Sequence, residues 1–79
     1  MPLSMCKVGS RVIVKDLFFE MDYLNRFYSL GIYPGADLEV MATQNAGRLM
    51  IRIKGMNLVL GEEITGNIRV DLVEYKRTA

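Results

Sequence analysis

The stretch SLGIYPGADLEV, residues 29–40, constrains this chain more than any other. Gly31, Pro34 and Gly35 fall between a segment free of Gly and Pro, residues 20–30, and a segment of alternating polarity. Glycine takes positive φ at little cost, and proline fixes φ near −65° (roughly) and cannot continue a helix. A helix must therefore stop here, the chain must turn, and an extended segment must begin. Gly31 suits the left-handed residue that ends a helix, with Phe27 and Ile32 placed for the hydrophobic contact that accompanies it. Tyr33-Pro34-Gly35-Ala36 suits a type II turn, with proline at the first central position and glycine at the second. Gly31, Pro34 and Gly35 are thus expected to form a structural corner.

The flanking segments follow from periodicity. In residues 20–30, Met21, Leu24 and Tyr28 make one apolar line and Tyr23, Phe27 and Leu30 a neighbouring one. That predicts a short helix with a broad apolar side and Asp22 as its N-cap. GSRVIVKDL (9–17) predicts a strand, with Val12 and Val14 on one face and Ile13 on the other. ADLEVMA (36–42) predicts a second, with Leu38, Val40 and Ala42 inward. After the polar loop TQNAGR come LMIRI (49–53) and MNLVL (56–60), separated by Lys54-Gly55, the pattern of a tight hairpin. Its inward residues are expected to be Leu49, Ile51 and Ile53, then Met56, Leu58 and Leu60. GEEITG (61–66) predicts a single helical turn, and NIRVDLVEY (67–75) a last strand with Ile68, Val70 and Leu72 inward. KRTA is a polar tail expected to fray.

Five short strands and one inserted helix predict a mainly β fold, with a short helical turn before the last strand. Closure into a five-stranded barrel is expected because it leaves few unpaired edges. A chain of 79 residues without linker, repeat or low-complexity segment reads as one domain, residues 1–79.

Composition excludes several functions. The chain has no histidine and one cysteine, Cys6, so an N/S-ligated metal site and Ser-His-Asp or Cys-His catalysis cannot be assembled within it. No cofactor and no enzyme activity are expected. Ten basic against nine acidic residues give no electrostatic footprint for nucleic acid, and no polybasic block would dock the chain on anionic lipid. No run approaches the ~20 apolar residues that cross a bilayer, and no secretory signal opens the chain. The expected location is cytoplasmic, with membrane contact only through a partner.

Several residues invite functional readings beside plainer ones. Asp37 with Glu39, and Glu62 with Glu63, could hold a hard cation, but a two-carboxylate site is poor and a solvated surface accounts for them. Arg48, Arg52, Lys54 and Arg69 could form a basic patch on neighbouring strands, or an ordinary charged surface. Cys6 reads as a small buried hydrophobe. Phe18, Phe19, Tyr23 and Tyr33 are too many for so small a core, so some are expected at a partner surface. Met41 and Met50, with outward phase, are candidates for an adaptable contact.

Three segments carry a family resemblance: LSMCKVG (3–9), RFYSLGIYPGADLEV (26–40) and IRIKGMNLVLGEEITGNIRV (51–70). Together they resemble the FeoA family of ferrous iron transport proteins, nearly end to end. Cys6 stands where that family usually has leucine, Val8 where it has proline, and Ile64 where a small alanine is common. The resemblance implies an SH3-like barrel with an inserted helix. It implies a non-enzymatic accessory or regulator of ferrous iron transport that contacts a FeoB-type permease, through its GTPase domain or its membrane part. Contact is then expected on the helix, the Gly31–Gly35 corner and adjoining strand faces, with Arg26, Tyr33 and Arg52 as candidate partner-binding residues. Weak self-association stays open. The alternatives are a stand-alone relative of the SH3-like domain of iron-dependent repressors, and a small-barrel RNA-binding module.

Overall fold

A computed structural model of the chain describes residues 1–76; residues 77–79 of the polar tail lie outside the described residues. Five strands and two helices follow in the order β1 (Ser10–Leu17), α1 (Met21–Leu30), β2 (Asp37–Thr43), β3 (Leu49–Ile53), β4 (Met56–Leu60), α2 (Glu62–Thr65) and β5 (Ile68–Tyr75). Single 3₁₀ turns occupy Leu3–Met5 and Asn45–Gly47. The strands form one antiparallel sheet in the order β4-β3-β2-β1-β5.

Alternation places the core. Val12, Val14, Leu38, Val40, Leu49, Ile51, Ile53, Ile68 and Val70 are all buried on the inner face. Leu3, Cys6, Phe27, Ile32, Ala36 and Leu60 complete the cluster. Register shifts between β1 and β5, and between β2 and β3 at Met41, insert unpaired residues that increase the twist and coil the sheet around this core.

The sheet does not close into a barrel. The chain between β4 and β5 is taken up by α2, whose fully buried Thr65 donates its hydroxyl to the Gly47 carbonyl at 2.5 Å. β4 and β5 remain the two outer strands of the sheet, with no pairing between them. The free side of β5 is instead covered by the first two residues. Met1 and Val70 exchange backbone bonds of 2.8 and 3.0 Å, and Pro2 bridges Arg69.

Local sequence accounts for the turns. Gly31, at φ +92°, donates to the Tyr28 carbonyl at 3.1 Å, and Ile32 donates to the Phe27 carbonyl at 2.8 Å. This is the paired bonding of a Schellman ending, sealed by the buried Phe27 and Ile32 side chains. Ala36 then donates to the Tyr33 carbonyl at 2.9 Å across a turn whose Gly35 has φ +94°. Lys54 and Gly55, both at positive φ, make the β3–β4 connection a two-residue turn whose twist matches the strands.

Four side-chain expectations are corrected. Glu20, not Asp22, caps α1 and does so without a side-chain bond; Asp22 lies in the first turn, where a carboxylate meets the positive end of the helix. The buried stripe of α1 is Phe27 with half-buried Leu24 and Leu30, while Met21, Tyr23 and Tyr28 face solvent. Met56 is exposed because it sits at the turn end of an edge strand. Leu72 pairs with the inward Val12, but the N-terminal cover on β5 reaches only Arg69 and Val70.

Candidate functional site

The helix that interrupts the sheet offers the most unusual surface. α1 reaches the core chiefly through Phe27, which holds Phe19 at a ring separation of 4.8 Å, with Tyr23 at 6.1 Å from Phe19. In this group Tyr23 is 50% exposed and Met21, at the start of the helix, 67%, whereas the exposed Phe18 lies apart, beside Pro2, Asn67 and Arg69. Arg26 lies beside Tyr23 on an exposed concave surface that they share with Asp22. Aromatic, methionine and arginine side chains are enriched at interface centres, while isolated exposed apolar residues need no explanation.

The corner continues this surface. Tyr33, half-buried, meets the Tyr28 ring at 5.9 Å and accepts a 2.9 Å hydrogen bond from Lys54 Nζ, which also stands 5.1 Å from the Tyr33 ring centre. Lys54 comes from the β3–β4 turn, so one side chain ties the corner to the hairpin. Sequence reading left Lys54 out of the contact set. Its charge placed it in the candidate basic patch with Arg48, Arg52 and Arg69, but spacing in a two-residue turn does not reveal that it reaches Tyr33.

Arg52 belongs elsewhere. It points from the outer face of β3, with its Nε donating to Asn57 Oδ1 at 3.3 Å and with Glu39 as its cross-strand neighbour. Arg11 pairs with Glu39 on the next strand, and its guanidinium lies 3.7 Å from Glu74 and 3.4 Å from Asp37. The outer face thus alternates in sign across the sheet from Arg52 to Glu39, Arg11 and Glu74. No basic patch forms from Arg52 and Arg69: Arg69 is on β5, with β2 and β1 between it and β3. These ion pairs are exposed and contribute little to stability. Asp37, read with Glu39 as a possible cation pair, is instead engaged by Arg11. Among the described residues no group of three or more Cys, Asp or Glu is placed to hold a metal ion.

A second apolar rim surrounds Cys6. Met1, Met5, Leu72 and Tyr75 line a concavity of about 250 Å³ with it. Cys6 is buried, and burial pushes its thiol pKa above the ordinary value, opposed in part by the nearby N-terminal ammonium. That makes it a poor nucleophile and a small core residue. No helix among the described residues is long and apolar enough to cross a membrane.

Five short antiparallel strands coiled around one core, with a helix set between the first two, define an SH3-like fold. The same arrangement is seen in zinc-complexed FeoA from Stenotrophomonas maltophilia, described as a prokaryotic SH3 domain protein (TM-score 0.74, 20% identity, 90% of this chain and 89% of that chain covered). The FeoA domain profile matches residues 1–72. A candidate Fe(2+) transport protein A of Methanocaldococcus jannaschii is 36% identical over 74 residues, which is 94% of this chain and 89% of that protein. The solution structure of FeoA from Chlorobium tepidum is 28% identical with a TM-score of 0.84, over 94% of this chain and 71% of that one. The chain belongs to the FeoA family.

Proposed function

We propose that this chain is a non-enzymatic accessory of ferrous iron transport, acting at the cytoplasmic side as one unit by protein contact with a FeoB-type permease. Family membership supports the transport role. The observation that carries the contact is the exposed side of α1, where Met21, Tyr23 and Tyr28 stand in solvent on a helix anchored by Phe27. Helix faces of this kind dock into apolar grooves through residues at helical spacing. Arg26 and Tyr33 border the surface, and Lys54 extends it. Arg52, on the alternating outer face, is a peripheral member.

Calorimetric titration of the chain into the cytoplasmic GTPase domain of the same organism's permease, with and without a GTP analogue, tests the reading. Saturable heat is expected, weakened by Tyr23→Ala, Arg26→Ala and Tyr33→Ala at unchanged melting temperature. A heat response that depends on nucleotide makes the chain a regulator. Heat absent in both states up to about 100 μM, repeated with the full permease in nanodiscs, overturns the contact.

A further inference from the structure

Strand β4 is bonded on one side only. Its residues pair with β3 from Leu49↔Leu60 to Ile53↔Met56, and among the described residues no other backbone bond reaches Met56–Leu60. The two-residue turn fixes which groups are unused. Ile53 and Met56 close the turn and exchange both of their backbone bonds, so Met56, Leu58 and Leu60 direct N–H and C=O toward β3. Asn57 and Val59 direct theirs outward.

Exposed sheet edges normally carry lysine, proline, inward charges or a cover that blocks pairing with another chain. The opposite edge, β5, has such devices: Arg69, Asp71 and Glu74 along the strand, and Met1 and Pro2 bonded to Arg69 and Val70. In contrast, β4 is Met-Asn-Leu-Val-Leu, with no charge, no proline and no bulge. Its Val59 is 56% exposed and Met56 43%.

We infer that β4 pairs with β4 of a second copy of this chain, antiparallel about a two-fold axis through Leu58. This register sets Asn57 opposite Val59 of the second copy, twice, so each pair joins groups that already point outward. Leu58 meets its own equivalent, and Met56 meets Leu60 on the inner face. Beyond the strand, Gly55 faces Gly61, against which the Glu63 carboxylate of the second copy is folded. Lys54 of each copy, whose Nζ also donates to Tyr33 of its own copy, is brought to the end of the other strand, where Glu62 and Glu63 open α2. Opposite charges thus flank the seam at both ends. The two neighbouring two-fold registers lack this match. Centred on Asn57, Lys54 falls opposite Leu60; centred on Val59, Met56 falls opposite Glu62. Because the same edge is used by both copies, the contact is isologous and closes as a dimer with one continuous ten-stranded sheet. The seam and the surface proposed for the permease share Lys54 and no other residue named for either.

Sedimentation of the full chain over a range from about 10 μM to about 1 mM, with amide hydrogen exchange at both ends of the range, tests it. A concentration-dependent dimer is expected, with the Asn57 and Val59 amides gaining protection as it forms. Val59→Lys places a charge on the exposed side of the seam. It is expected to raise the dimer dissociation constant at least about tenfold while the melting temperature holds. Lys54→Glu weakens the dimer, and Lys54→Glu with Glu62→Lys restores it, which reads the register directly. A monomer throughout the range overturns the inference. So does a dimer in which the Asn57 and Val59 amides exchange as freely as at low concentration. The exchange measurement uses the unmodified chain, so it decides the matter even if a variant fails to fold.

Discussion

Gly31→Val isolates the energetics of the corner. Gly31 has φ +92° and ψ 9°, a conformation that an L-residue enters at about 1–2 kcal/mol. An added Cβ would lie 3.4 Å from Lys54 Cδ, an ordinary contact with a flexible side chain, so the cost is conformational before it is steric. Replacing glycine also restricts the unfolded chain, which returns about 0.4–1 kcal/mol. Gly31→Ala should therefore lose about 0.5–1 kcal/mol net. Valine, stiff at χ1 and branched toward Lys54, should lose about 1–2 kcal/mol. For a domain of this size each kcal/mol lowers the melting temperature by about 4–8 °C, so calorimetry should find Gly31→Val down by about 4–16 °C and alanine by about half of that. Gly35→Ala is the control: Gly35 has nearly the same φ, +94°, and nothing within 4 Å of an added Cβ. Its loss should equal that of Gly31→Ala if conformation alone is at stake. An unchanged melting temperature for Gly31→Val refutes the argument, because the Schellman bonds from Gly31 and Ile32 would then survive without a left-handed residue.

Three further outcomes are expected. Thr65→Val leaves the Gly47 carbonyl without its buried donor and should cost about 1–3 kcal/mol, read as a lower urea midpoint at constant slope; an unchanged midpoint rejects the hydrogen bond as a stabilising contact. Gly9→Ala should destabilise more than Gly35→Ala, since Gly9 combines φ +93° with an added Cβ that would overlap the Lys76 carbonyl; equal melting temperatures would remove that close approach. The buried Cys6 thiol holds its proton more tightly folded than unfolded, so its contribution to stability is complete below its ordinary pKa of 9.0 and is lost as the pH rises through the higher folded value. Accordingly, Cys6 should react with a disulfide reagent more slowly in the native chain than in denaturant at pH values near neutrality, and equal rates would contradict its burial.

The corner and the strands were legible in the sequence because local chemistry fixes them. Gly31 after a Gly-free helix, Pro34-Gly35, and Lys54-Gly55 between alternating runs each restrict φ and ψ within a few residues, and Leu49, Ile51 and Ile53 declare a face by spacing alone. What only the tertiary structure decided depends on distant partners. Met21 and Tyr28 sit on an apolar line, but the sheet offers α1 room for little more than Phe27, so they stay in water. Met56 and Leu72 have the phase of core residues yet stay exposed, Met56 at the turn end of an edge strand and Leu72 on the rim of the Cys6 concavity. Gly9 reads as a strand boundary, yet its need for glycine comes from Lys76, which approaches only when β5 lies against β1. Closure could not be foreseen either. Edge avoidance argues for a barrel, whereas in the folded chain β4 and β5 end the sheet on opposite sides and β4 stays open. Sequence set the backbone wherever a few residues limit it; the sheet order set which of those residues meet, because burial belongs to pairs of segments and not to one.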